Sequence, residues 1–153
     1  SILFDKPLAQ LCFFDQTNLV TVSDSAVYYA LPFTANACPE NNKFTVSNTT
    51  LTYTGTQERV FIVRGLIVAS DGSNETIRLA IFKNGQITSG RGEAITASGG
   101  RTSEIIAQTI LTLAENDTVE LRVRNVTSTS NVTVKNLNLI AEHAGVDQLS
   151  GGA

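Results

Sequence analysis

The dipeptide Asn84-Gly85 constrains this chain more than any other feature. A two-residue hairpin of type I′ needs positive φ at both central residues, which Asn and Gly tolerate and most residues do not. Before it, Ile77, Leu79 and Ile81 alternate with Arg78, Ala80 and Phe82, so residues 76–82 read as a strand with two distinct faces. The same period of two runs through residues 44–47, 50–53, 119–125 and 132–141. Residues 60–69 form a longer, two-sided apolar run, which predicts a strand covered on both faces. No segment carries a sustained 3.6-residue stripe. The nearest, residues 102–113, is rich in β-branched Ile105, Ile106, Thr109 and Ile110, which favour strand. About eight strands and no helix predict an all-β chain, an antiparallel β-sandwich of jelly-roll type.

Finer features follow from the same reading. Between Val134 and Leu137 the alternation slips by one, which predicts a β-bulge near Lys135-Asn136. Glu115-Asn116-Asp117 reads as a turn. Residues 86–100 are polar and rich in glycine, and are expected to be mobile loops around a short strand near residues 94–96. Their glycines match neither a phosphate-binding loop nor a dinucleotide fingerprint, because no GK[ST] follows and no helix opens after them.

The charge pattern excludes whole classes of partner. Eleven basic residues against 14 acidic ones, spread along the chain, give a net charge of -3 and no electrostatic footprint for nucleic acid or an anionic membrane. No apolar run approaches the ~20 residues of a membrane span, and no basic-then-apolar leader opens the chain. A soluble, cytosolically made protein is expected, a reading to which the absence of methionine adds weight. Charged residues make up only 16%, so much of the surface is neutral and polar, as suits a crowded assembly or an extracellular setting.

Chemistry-bearing residues are few. Cys12 and Cys38 are the two cysteines; they read as small thiols or as a disulfide tying down the N-terminal segment. With one histidine and no CxxC, no metal and no cofactor are expected. His143 stands beside Glu142, but a general base needs a nucleophile or metal within reach, and no motif supplies one. The chain is therefore read as a non-enzyme, and His143 as an exposed residue at a strand end. Asn-x-Ser/Thr sequons at Asn48, Asn74, Asn116, Asn125 and Asn131 are either glycan acceptors or Asn serving turns. Arg64, inside the apolar run 60–69, reads as a snorkelling edge residue or one half of an inter-subunit ion pair.

Residues 1–40 differ in texture from the rest. Six of the ten aromatics lie here (Phe4, Phe13, Phe14, Tyr28, Tyr29 and Phe33), too apolar for a free tail in water. They are read as an extended arm followed by one or two strands. Residues 41–143 form the β-domain, and residues 144–153 a flexible C-terminal tail.

Residues 43–142 resemble the jelly-roll heads of the complement-globular-head and tumour-necrosis-factor superfamily, especially their versions in tailed-phage virion proteins. The resemblance lies in Phe44-Thr45-Val46, Leu51-Thr52-Tyr53-Thr54-Gly55, Phe61 to Ala69, Ile81-Phe82-Lys83-Asn84-Gly85, Leu111-Thr112-Leu113, Asn116 to Leu121 and Asn131 to Ile140. Asn116 stands where the family has Gly, and can adopt the same positive φ. The resemblance implies a homotrimer, with Phe61, Val63, Ile67 and Phe82 at the subunit interface. It points to a trimeric capsid decoration, or cement, protein at the virion surface. The arm residues Phe4, Leu11, Phe13 and Phe14 would hold the major capsid protein or another virion protein, and Asn74, Arg91 and Arg101 would stand in exposed loops. The alternatives are a receptor-binding head of a phage fibre or spike, or a secreted carbohydrate-binding or cytokine-like module.

Overall fold

A computed structural model describes residues 6–72 and 74–144. Twelve strands and no helix make up this part: β1 Leu8–Phe13, β2 Asn18–Val20, β3 Tyr29–Ala30, β4 Asn36–Ala37, β5 Phe44–Ser47, β6 Thr50–Tyr53, β7 Arg59–Ser70, β8 Glu75–Lys83, β9 Gln86–Thr96, β10 Ser103–Leu113, β11 Thr118–Asn125 and β12 Val132–His143. One sheet runs in the order β10-β7-β12-β1-β4, with β2 also on β12. The other runs β5-β6-β11-β8-β9, with β3 also on β11. We call them sheets A and B. Every pairing is antiparallel, as expected for the sandwich.

The core lies between the sheets and is built from alternate residues of the long strands. Phe61, Val63, Ile67 and Ala69 of β7 meet Ile77, Leu79 and Ile81 of β8, with Leu121 and Leu139 fully buried among them. At one end Phe44, Tyr53 and Phe61 pack as three rings, with centroids 5.1–5.3 Å apart and tilted or edge-on geometry, as the aromatic quadrupole favours. Tyr53 keeps its hydroxyl satisfied by donating to the Gln57 carbonyl at 2.6 Å.

The hairpin lies where the sequence places it. Asn84 has φ 50° and Gly85 φ 74°, and Asn84 also braces the neighbouring turn: its Nδ2 donates to Asp117 and its Oδ1 accepts from Thr118 N, both at 2.9 Å. Replacing Asn84-Gly85 by Val-Val should cost about 1–3 kcal/mol per strained residue, seen as a lower urea midpoint; an unchanged midpoint would contradict the turn's role. Asn116 sits at φ 73°, the left-handed position expected of it. The register of β12 against β7 shifts between Val134 and Asn136, the expected bulge.

Residues 86–100 depart from expectation. Residues 86–96 are one continuous strand, β9, rather than mobile loops. Its glycines serve proximity. A Cβ on Gly92 would run into the Ile106 carbonyl oxygen of β10, and one on Gly90 would sit 2.9 Å from both Ile81 Cδ1 and Thr109 Cβ. The edge strands of the two sheets close on each other here, which a side chain at Gly92 would prevent.

The N-terminal segment also differs from an extended arm. β1 lies inside sheet A, paired with β12 on one side and β4 on the other. Residues 18–37 then stitch the two sheets together: β2 joins β12, β3 crosses to β11 and β4 returns to β1. Leu11 and Phe13 are core residues, and Phe13 packs edge-on against Phe33 at 5.9 Å. The apolar texture that reads as partner-seeking is satisfied within the chain, because β1 finds one of its two neighbouring strands, β12, more than a hundred residues away.

One end of the sandwich is pinned by a buried carboxylate. Glu75 accepts from Ser128 Oγ at 2.6 and 2.7 Å and from Asn125 Nδ2 at 3.0 Å, tying the β11–β12 loop to the start of β8. Burial pushes its pKa up, but the bonds from Ser128, Asn125 and Ser130 outweigh this and hold it below the ordinary value. At Asp117 burial likewise opposes, and the Asn84, Ala114 and Lys83 contacts prevail. Both folded pKa values are depressed, so their stabilisation is complete above the unfolded pKa values near 4 and is lost as pH falls through the folded ones. Wild-type stability should therefore fall as pH drops below about 4.5, and Glu75→Gln should flatten that fall in urea titrations. An E75Q curve parallel to wild type would contradict the assignment.

Candidate functional site

The outer face of sheet A is the exposed surface least like a solvated one. β7 alternates strictly, so Phe61, Val63 and Ile67 point into the core while Val60, Ile62, Leu66 and Val68 face outward. Side chains at paired positions share a face, and the register therefore lays out the surface. One row reads Ile110, Ile62, Glu142 and Leu8 across β10, β7, β12 and β1. The next reads Gln108, Arg64, Ile140 and Gln10, and the third Ile106, Leu66, Asn138 and Cys12. Ile106 is 53% exposed and Ile110 67%. Large apolar side chains exposed on either side of a polar middle row make this face a candidate interaction surface.

Two pairs of polar groups on this face are bonded to each other within the chain. Arg64 forms an ion pair with Glu142 of the adjacent strand, and Gln10 Nε2 donates to Asn138 Oδ1 at 2.8 Å. Arg64 is thus neither an edge residue nor unpaired in the single chain. On the β1 side the face contains a cavity of about 170 Å³ lined by Leu8, Ala9, Gln10, Cys38, Glu40, Asn41 and Ile140. A ridge at β10 and a hollow at β1 therefore occupy opposite sides of one face.

Three expected interface residues are misplaced. Phe61, Val63 and Ile67 have no exposed surface and cannot touch another molecule. Phe82 is on the outer face of the other sheet and is covered: Tyr28 packs on it at 5.5 Å and the Arg122 guanidinium lies 4.5 Å from its ring centre. Of the expected attachment residues, Leu11 and Phe13 are core, Phe14 is 56% exposed immediately beyond β1, and Phe4 lies outside the described residues. Asn74 and Arg101 are exposed between strands, whereas Arg91 is exposed on strand β9 itself.

The remaining chemistry is modest. Both cysteines are thiols; Cys38 Sγ donates to Glu40 at 2.9 Å, and this bond holds its pKa above the ordinary value. His143 is half-buried, with its ring edge-on to Phe61 at 6.1 Å and its Nε2 3.5 Å from Arg59, rather than fully exposed. No group of three His, Cys, Asp or Glu side chains that could hold a metal occurs among the described residues. Several sequon asparagines serve the backbone: Asn48 and Asn116 take positive φ, and Asn125 is buried.

No family model and no curated protein matches the sequence. Solved structures do match. Eiger TNF from S. frugiperda superposes with a TM-score of 0.61 at 14% identity, over 95% of this chain and 98% of that one. PRD1 vertex protein P5 gives 0.61 at 9%, over 92% and 98%, and the globular domain of zebrafish complement 1qA protein 0.59 at 13%, over 94% and 99%. What these likenesses share with the chain is its architecture: two antiparallel sheets folded as a jelly roll of the tumour-necrosis-factor and complement-head type.

Proposed function

We propose that this chain is a non-enzymatic structural protein of a virion, a capsid decoration protein that works as a homotrimer. The observation that carries it is the apolar outer face of sheet A. Its ridge (Ile106, Ile110) and its hollow (Leu8, Ile140) lie apart on one face, so copies of the chain can match ridge to hollow either about a two-fold axis or head to tail around a closed ring. The likeness of the fold to tumour-necrosis-factor and complement-head domains favours the three-membered ring. The likeness to PRD1 vertex protein P5 supports the virion setting. The sparsely charged, Asn- and Thr-rich surface fits a permanent place among other coat proteins.

Attachment to a major capsid protein then falls to side chains that the trimer leaves free. Phe14 and Leu19, both half or more exposed, stand at the end of sheet A away from Val60. Three copies of such a contact on one trimer raise avidity through effective concentration.

A second reading, a receptor-binding head or secreted cytokine-like module, is favoured by the likeness to Eiger TNF and the complement domain. Antibody labelling of purified particles from the source of this chain separates the two. Label over the shell is expected; label at fibre tips, or none on particles with the protein in the medium, would overturn the decoration role.

A further inference from the structure

A groove of about 290 Å³ opens on the opposite side of the molecule, on the outer face of sheet B, lined by Tyr28, Arg78, Arg91, Gly92 and Glu93. Its charge is unusual for this chain. Arg78 of β8 lies directly opposite Arg124 of β11, and in the adjacent row Ala80 lies between Arg91 and Arg122. Four of the protein's seven arginines thus occupy two neighbouring rows of one face, in a molecule of net charge -3. Like charges directly opposed across a sheet are destabilising, so the cluster needs neutralising partners.

Neutralisation is incomplete. Arg78 pairs with Glu93 and Arg122 with Glu120, both at 2.9 Å. Arg91 and Arg124 form no ion pair among the described residues. Their Nε groups donate to the backbone, to Thr88 O at 2.9 Å and Ser25 O at 2.7 Å. Of these two only Arg91 lines the groove, where its bond to Thr88 fixes the guanidinium by one nitrogen and leaves the terminal nitrogens to a ligand. Tyr28, seated on Phe82, supplies an aromatic wall beside them.

We propose that this groove binds an acidic saccharide. Its carboxylate or sulfate would be held by the Arg91 and Arg78 guanidiniums, whose planar fork matches an oxyanion, and its ring would lie against Tyr28. The groove lacks apolar side-chain pockets that a peptide would need. It faces away from the outer face of sheet A, so it stays open whether or not the chain trimerises, and its failure would leave the assembly reading untouched.

Titration of the full chain by calorimetry tests this with three probes: a glucuronic-acid oligosaccharide, a sulfated oligosaccharide and a neutral one of equal length. Binding of either acidic probe is expected, the one that binds identifying the oxyanion, with no binding of the neutral one. Arg91→Gln should weaken it about tenfold or more, while Arg101→Gln, the same charge change in a distant exposed loop, should leave it within twofold. Binding of neither acidic probe, equal binding of the neutral one, or equal losses in R91Q and R101Q would each overturn the proposal.

Discussion

Replacing Ile106 and Ile110 together by Asp is expected to turn the assembled protein into folded monomers. Both side chains are more than half exposed in the single chain, so the substitution costs the monomer little. In the proposed trimer both are buried at each of three equivalent contacts. Each contact loses the burial of two isoleucines, about 1.5–3 kcal/mol apiece, and must desolvate two carboxylates as well. A loss of about 4 kcal/mol per contact is roughly a thousandfold in its equilibrium constant. Sedimentation velocity should show the monomer, with a far-UV circular dichroism spectrum like wild type. Wild-type sedimentation of the double variant would remove the β10 ridge from the interface. The corresponding change at Phe61 would not test assembly, because Phe61 stacks on Phe44 and Tyr53 in the core and its loss would unfold the protomer.

The second large effect is expected at Gly92. A Cβ there meets a backbone carbonyl, with the Ile106 carbonyl carbon only 2.9 Å away, and a ladder-bonded backbone cannot rotate aside as a side chain can. Gly92→Val should destabilise by about 3 kcal/mol or more, the upper range for overpacking. For a domain of this size that lowers Tm by on the order of 10 °C, read by calorimetry at fixed protein concentration. Gly65→Ala is the instructive contrast. The atoms nearest its Cβ would be side-chain atoms of Leu121 rather than backbone, so a smaller loss is expected. A Gly92→Val Tm within 2 °C of wild type, an allowance of roughly 1 kcal/mol, would contradict the close approach of β9 and β10.

Much of the fold is legible in the sequence because it is written locally. Asn84-Gly85, the positive-φ Asn116 and the slipped alternation at Lys135-Asn136 each act within a few residues, and each lies in the structure as read. Other features are not local. The alternation of residues 60–69 shows two apolar faces but not which one meets the second sheet, and a shift of one residue exchanges them. Hence Phe61, Val63 and Ile67 look like surface candidates in the sequence, whereas in the structure they are core and Ile62 and Leu66 carry the outward phase. Phe82 is on the outward phase as read, yet Tyr28 from a segment more than fifty residues earlier covers it.

Long-range pairing accounts for the other differences. Leu11 and Phe13 lack a partner within their own neighbourhood, and find it in Leu139 and Leu137 of β12. Glycines at 90 and 92 resemble loop residues until β10 is laid against them. The arginine face was hidden for the same reason: Arg78, Arg91, Arg122 and Arg124 are scattered over 47 positions, and the sheet register gathers them. A signal was nonetheless present, since Arg78, Arg122 and Arg124 all occupy outward phases of strands visible in the sequence.

Whether the outer face of sheet A builds a homotrimer is decided by the molar mass of the purified wild-type protein in multi-angle light scattering at micromolar concentration. A single species of three times the 16.3 kDa chain mass is expected. A mass equal to one chain across that concentration range would contradict it.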